Sequence, residues 1–147
     1  MAATSFELDP NATAFPQAQP LEHPEQGCPC GSALAYGICC GPLHAGLAHA
    51  ASPQALMRSR YSAFALGLEQ YLRWTWADET CPEDLELDPA QTWTRLRILA
   101  APGSEDGRGT VHFRAHYKYG IQRDSLEEIS QFEIRGGRWV YVDGEIV

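Results

Sequence analysis

Cys28-Pro29-Cys30-Gly31-Ser32-Ala33-Leu34-Ala35-Tyr36-Gly37-Ile38-Cys39-Cys40 is the stretch on which the reading of the chain turns. It holds four of the five cysteines, as a C-x-C pair, eight intervening residues and an adjacent C-C pair. Four soft thiolates this close in sequence suit one tetrahedral metal ion. Four cysteines with no open coordination position form the structural, not the catalytic, type of zinc site. Pro29 and Gly31 turn the backbone around the first pair, and Gly37 and Gly41 flank the second. Cys28, Cys30, Cys39 and Cys40 are therefore the candidate ligands of one structural zinc, with disulfides and reduced free thiols as the alternatives. His44 follows Cys40 at a ligand-like spacing. With four cysteines completing the site it reads as a surface histidine, as do His23 and His49. A segment this short builds no core of its own, so metal binding supplies most of its folding free energy. Tyr36 and Ile38 are expected to pack on the next helix.

Downstream, Ser52-Pro53 is a helix start, with Ser at the N-cap and Pro in the first turn. Met57, Tyr61, Phe64, Leu68 and Tyr71 then recur at steps of three and four. That spacing predicts one apolar stripe on a helix of about six turns. Gly67 interrupts it at a cost of about 1 kcal/mol relative to Ala. Arg58 and Arg60 lie off the stripe. Each is expected to meet an anion or an internal acid such as Glu128, because a guanidinium pairs with carboxylates in planar, two-pronged geometry. Trp74 and Trp76 read as core or helix-end packing. Asp78, Glu79, Glu83, Asp84, Glu86 and Asp88 read as a solvated acidic face, with a divalent-cation site as the alternative. Pro82 and Pro89 bound a short helix or turn, and Cys81 reads as a half-buried thiol.

The last third has the period of strands. Trp93, Arg95 and Arg97 alternate with Leu96 and Ile98, and Pro102 to Gly107 forms a turn. Val111, Phe113, Ala115, Tyr117 and Tyr119 alternate with His112, Arg114, His116 and Lys118. Gly120 to Asp124 is expected to connect to a third strand over 127–135, and Gly136-Gly137 to turn into a fourth over 138–142. A long helix followed by an antiparallel meander is an α+β layout.

Upstream, residues 1–24 carry Pro10, Pro16, Pro20 and Pro24 and no helical or strand period, which predicts a flexible Pro-rich arm whose Phe6, Leu8 and Phe15 could dock on the domain. The organisation expected is an arm over 1–24, a zinc-binding segment over 25–46 and a main domain over 47–147. At 147 residues the chain is long enough to bury its own core. It shows no secretory signal and no membrane-spanning stretch, so a cytoplasmic location is the default. The net charge of −8, and the absence of Lys and Arg between Leu21 and Met57, disfavour nucleic-acid binding.

The C-P-C-G-S-(x6)-C-C-G pattern resembles the SEC-C motif, the zinc-binding segment named for the SecA C-terminus. It is followed by Leu56-Met57-Arg58-Ser59-Arg60-Tyr61-Ser62-Ala63-Phe64, then Tyr71-Leu72 and Thr75-Trp76. Near the end come Glu128-x-Ser130-x-Phe132 and Gly137-x-Trp139-x-Tyr141-x-Asp143-Gly144. In this order the motifs resemble the YchJ family of bacterial proteins (the UPF0225 group), over roughly residues 27–144. The resemblance implies a SEC-C segment followed by an NTF2-like domain, in which a curved sheet wraps the helices and leaves a conical pocket. It also implies that two copies can pair as a homodimer. It implies no particular activity. SEC-C segments such as SecA's are rich in lysine where this chain has Ala33-Leu34-Ala35-Tyr36, so SecA's binding properties do not carry over.

No glycine-rich phosphate loop, nucleophile elbow or His-Glu-x-x-His is present. Two readings follow. The first is a zinc-containing binding or adaptor protein whose cone takes a protein partner or a small ligand. The second is a small-molecule enzyme, isomerase- or hydrolase-like. Its weak candidates are Glu128 as general base, Arg60 as anion clamp and Tyr61, with Asp143, His112 and His116 behind them. Glu128 and Ser130 share strand parity with Phe132. A carboxylate there either pairs with Arg58 or Arg60 or is left to act as a base.

Overall fold

The computed structural model describes residues 23–147. The expected arm, with Phe6, Leu8 and Phe15, lies outside the described residues apart from His23 and Pro24. The cysteine-rich segment runs through a 3-10 turn at Tyr36–Ile38 into a one-turn helix α1 (Gly41–His44). It is closed by backbone hydrogen bonds from Gly37 N to Pro24 O (2.8 Å) and from Tyr36 N to Gln26 O (2.7 Å). Two helices follow, α2 (Pro53–Leu66) and α3 (Glu69–Trp74). Then come four strands, β1 (Gln91–Ala100), β2 (Arg108–Tyr119), β3 (Gln122–Arg135) and β4 (Arg138–Ile146). The strands form one antiparallel meander in the order β1-β2-β3-β4. This is the α+β layout expected.

α2 begins where the sequence predicts: the Ser52 side chain accepts from Ala55 N (3.1 Å) with Pro53 in the first turn. It ends early. Gly67 adopts φ 74° and caps the helix, its N–H reaching Ala63 O and Phe64 O. The expected six-turn helix is thus two, because a left-handed glycine is a better terminator than a costly interior residue. The single stripe is corrected as well. Leu56, Met57, Ser59, Arg60, Tyr61, Ser62 and Ala63 are all buried, so α2 is covered around most of its circumference. The sheet takes one side and the cysteine-rich segment another. Phe132, Leu56 and Val111 are almost fully enclosed and share one continuous core with Cys28, Cys30 and Cys40. Side chains of that size contribute about 1.5–3 kcal/mol each when fully buried.

Register shifts shape the inner face of the sheet, at Trp93/Arg95 and Ile98/Ala100 in β1 and at Gln131/Phe132 in β3. Between Trp93 and Arg95, β1 slips by one residue against β2, so Trp93 pairs with Tyr117 while Leu96 and Ile98 pair with Ala115 and Phe113. Trp93 therefore shares the inner face with Leu96 and Ile98, which strict alternation would forbid. β3 begins at Gln122, five residues before the expected 127. It shifts against β4 between Gln131 and Phe132, so Phe132 pairs with Tyr141 and Ser130 with Gly144. The free edge of β4 is partly covered by the chain leaving α3: Tyr141 N donates to Thr75 O and Ala77 N to Tyr141 O, both at 2.8 Å. Residues 78–90 form turns and loop, without the short helix considered between Pro82 and Pro89. Arg73 ties this loop down by donating to Pro82 O and Glu83 O (both 3.2 Å).

Candidate functional site

The first site is the cysteine cluster. The turn at Pro29-Cys30-Gly31 and the 3-10 turn at Tyr36–Ile38 bring Cys28, Cys30, Cys39 and Cys40 together. Their Sγ atoms all lie within 4.8 Å of one another, and they are free thiols. Cys30 and Cys39 Sγ are 3.6 Å apart, Cys39 and Cys40 Sγ 4.0 Å. A tetrahedral ion with metal–sulfur bonds of about 2.3 Å has sulfur–sulfur edges of about 3.8 Å, so the cage has the right size. The surroundings also fit bound thiolates, because they supply donors. Arg58 Nη1 donates to Cys30 O (3.0 Å) and lies 3.7 Å from Cys30 Sγ. Ser62 Oγ donates to Cys40 Sγ (3.4 Å) and lies 3.7 Å from Cys28 Sγ, and Ser32 Oγ is 3.1 Å from Cys39 Sγ. Of the two partners expected for Arg58, an anion or an internal acid such as Glu128, the structure places it against the cysteine cluster and not against Glu128. The four cysteines could hold a metal ion.

As bare thiols the cluster resists carrying four charges. Hydrogen bonds from Cys28 and Cys40 hold the Cys30 thiol far below the usual thiol range. The same contacts hold Cys40 above it, and burial pushes Cys39 up. Cys30 is thus favoured as a thiolate while Cys39 and Cys40 keep their protons, a pattern that a dication at the centre would reverse by stabilising every thiolate at once.

His44 corrects the surface reading. It is 6% exposed. Its Nε2 lies 2.8 Å from Ser59 O, an acceptor only, so Nε2 carries the proton and Nδ1 accepts from the Tyr36 hydroxyl (2.5 Å). Burial pushes its pKa down, which keeps the ring neutral. The ring also meets Tyr71 edge-on at 4.7 Å. His44 is thus the bolt between the cysteine-rich segment and α2. Tyr36 contributes to that joint, whereas Ile38 is 71% exposed and does not pack as expected.

The second site is the cone. Met57, Tyr61 and Phe64 of α2 face the inner side of the sheet across a cavity of about 350 Å³, which Trp76, Trp93 and Phe113 also line. Besides Tyr61, the polar side chains of Arg60, Gln91, Glu128, Ser130 and Tyr141 line it too. Glu128 stands on the inner face beside Phe113, as its parity predicts. It pairs with neither Arg58 nor Arg60. Its Oε2 accepts from Ser130 Oγ (2.5 Å) and from the Tyr141 hydroxyl (3.1 Å). Gly144 completes the niche, since a Cβ there would run into the Glu128 carboxylate and come 2.8 Å from the Tyr141 hydroxyl. Gly144 is therefore a packing requirement of Glu128. Asp143 itself is exposed.

Arg60 departs furthest from expectation. It is 4% exposed, and none of the ion pairs among the described residues includes it. Nη1 donates to Leu72 O (2.9 Å) and Thr75 Oγ1 (2.7 Å). The guanidinium lies over both the Trp76 and Tyr141 rings, 4.7 Å from each centroid, the two rings meeting edge-on. Burial lowers its pKa to about 10, which leaves it charged at neutral pH. Tyr61 is buried, and its pKa is pushed up to about 12, so its hydroxyl is neutral. The tyrosine hydroxyl of Tyr141 is likewise shifted up, first by burial and then by Glu128.

His112 and His116 fall on the face opposite Val111, Phe113 and Ala115, away from the cone. His112 Nε2 is 2.7 Å from Glu127, and Arg114 pairs with the same carboxylate. The acidic run is largely exposed, with Glu79 bound to Arg135 (2.6 Å). Cys81 is half-buried, as expected.

The family model described as the YchJ middle, NTF2-like domain matches residues 52–144. A UPF0225 protein of Ralstonia nicotianae is 44% identical over 142 residues, spanning 88% of this chain and 98% of its own. The chain belongs to the YchJ family, the UPF0225 group. A second relative, a UPF0225 protein of Streptomyces coelicolor, is 49% identical over 126 residues, covering 84% of this chain and 98% of its own. The YchJ fold recurs in two solved structures titled as SEC-C motif-containing proteins. The solution structure from Rhodopseudomonas palustris superposes with a TM-score of 0.74 at 39% identity, covering 82% of this chain and 98% of that one. The crystal structure from Psychrobacter arcticus gives 0.70 at 25% identity, covering 85% of each. The cysteine cluster is thus the SEC-C segment, and the helices and meander are the NTF2-like domain. No helix among the described residues is long and apolar enough to cross a membrane.

Proposed function

We propose that this YchJ-family protein is a binding module with two divided roles. The SEC-C segment is a closed structural site for one zinc, and the cone is a pocket for a small organic ligand. The observation that carries this reading is the cavity of about 350 Å³ between α2 and the sheet. That size lies in the range of small-molecule sites, and the walls have the usual character of an apolar, aromatic lining with a few fixed polar groups. When bound, zinc fixes the four thiolates and thereby the loop that packs on α2, and supplies no reacting position.

Titration with small aromatic probes, followed at the Trp76 and Trp93 indole resonances, tests the pocket. Saturable shifts that vanish in Ala115→Leu, which fills the cavity, are the expected result. No shift with any probe at millimolar concentration would sink the reading.

One observation favours the enzyme alternative. Glu128 Oε1 has no hydrogen-bond partner among the described residues while its carboxylate lines the cavity. Glu128 would then act as general base. Against it, Oε2 is already held by two donors, which makes Glu128 a fixed acceptor. Glu128→Gln separates the two: a pocket that still binds probes but loses turnover of a bound compound would favour the enzyme.

A further inference from the structure

The cone holds a buried cation whose protein partners do not balance it. Burying a guanidinium is costly unless it is paired and hydrogen-bonded. Arg60 finds a carbonyl, a hydroxyl and two ring faces, but no carboxylate among the described residues. Among the described residues only Nη1 has protein acceptors, and the side chain lines the cavity, so the remaining N–H groups are available to whatever fills it. A guanidinium with free N–H groups in an apolar cavity is a carboxylate receptor, because the fork matches that group and the low-dielectric walls strengthen the pairing.

The far wall narrows the ligand further. Tyr141 separates the two charged groups of the cone. Its ring stacks on Arg60 and its hydroxyl donates to Glu128 Oε2. Glu128 Oε1 is thus an acceptor displaced from Arg60 by one phenol ring. Phe64, Trp93 and Phe113 line the same cavity.

We propose that the cone takes a small organic acid with a flat apolar body. Its carboxylate pairs with Arg60, and a hydroxyl or amine at its other end donates to Glu128. This rests on the reading of the cone as a small-ligand pocket and adds the ligand's charge and polarity.

The test uses the full chain in its metal-loaded form and three probes: 4-hydroxybenzoate, benzoate and the neutral 4-hydroxybenzamide. Affinities come from calorimetry and from the Trp76 and Trp93 indole shifts. The expected order is 4-hydroxybenzoate first, benzoate several-fold weaker, and the amide at least tenfold weaker than its acid. In Arg60→Gln the acid should lose its advantage over the amide. In Glu128→Gln the hydroxyl should lose its advantage over benzoate. Should Arg60→Gln fail to fold, the acid-to-amide ratio on the unaltered protein still decides. An amide that binds as tightly as the acid would overturn the proposal while leaving the cone a binding pocket. Binding by none of the three would overturn both.

Discussion

The cysteine cluster and the cone meet different faces of the same helix and handle buried polarity in contrary ways. Arg58 and Ser62, one turn apart on α2, both turn toward thiols, so every charge the cluster could carry has a donor nearby. Met57, Tyr61 and Phe64 turn toward the cone, where among the described residues Arg60 forms no ion pair and Glu128 Oε1 accepts no hydrogen bond. A site whose partners are all internal holds the fold together. A site whose charges await a partner is where an external molecule gains binding energy. On the proposed reading, the cysteine segment is the structural part and the sheet the recognising part.

Removing the metal should produce the largest effect. Chelation should release a segment whose folding is linked to metal by something on the order of 10 kcal/mol. Hydrogen exchange should rise throughout 25–46 while the central strands β2 and β3 stay protected. Loss of protection in β2 and β3 at the same chelator concentration would show that the two regions do not separate.

His44→Ala comes next. It removes hydrogen bonds to Ser59 O and from Tyr36, and the contact with Tyr71. A loss of about 2–4 kcal/mol is expected in denaturant titrations, with metal stoichiometry unchanged. A loss under about 1 kcal/mol would mean that the metal alone, not the His44 joint, holds the segment to α2.

Arg58→Met and Gly144→Ala each strike one region. Arg58→Met should weaken zinc binding about 10–100-fold through loss of the donor beside Cys30, and leave the probe affinities of the cone untouched. Gly144→Ala should cost about 1–2 kcal/mol and displace the Glu128 carboxylate, with zinc binding unaltered. If either change moves the other region's readout by a comparable amount, the division between them fails.

Local signals carried much of this architecture in the sequence. The four-cysteine spacing, the Ser52-Pro53 helix start and the period-two run from Val111 to Tyr117 each act within a few residues, and each has its structural counterpart. What could not be read depends on distant partners. Ser59, Ser62 and His44 look like surface residues until the cysteine-rich segment folds over α2. Trp93 joins Leu96 on one face only because β1 slips a residue against β2. Arg60 invites a carboxylate partner by its type, yet its guanidinium lies over Trp76 and Tyr141, brought there by the bridge between the chain after α3 and β4. Gly67 is the exception, a local signal weighed the wrong way: a left-handed cap reads in sequence like a tolerated interior glycine.

Elemental analysis of the protein purified under reducing conditions, set beside Cys39→Ser, tests the structural role of the cluster most directly. The account predicts about one zinc per chain, lost in Cys39→Ser together with the order of residues 25–46. A folded, metal-free chain with those residues intact and all four thiols reactive would contradict it.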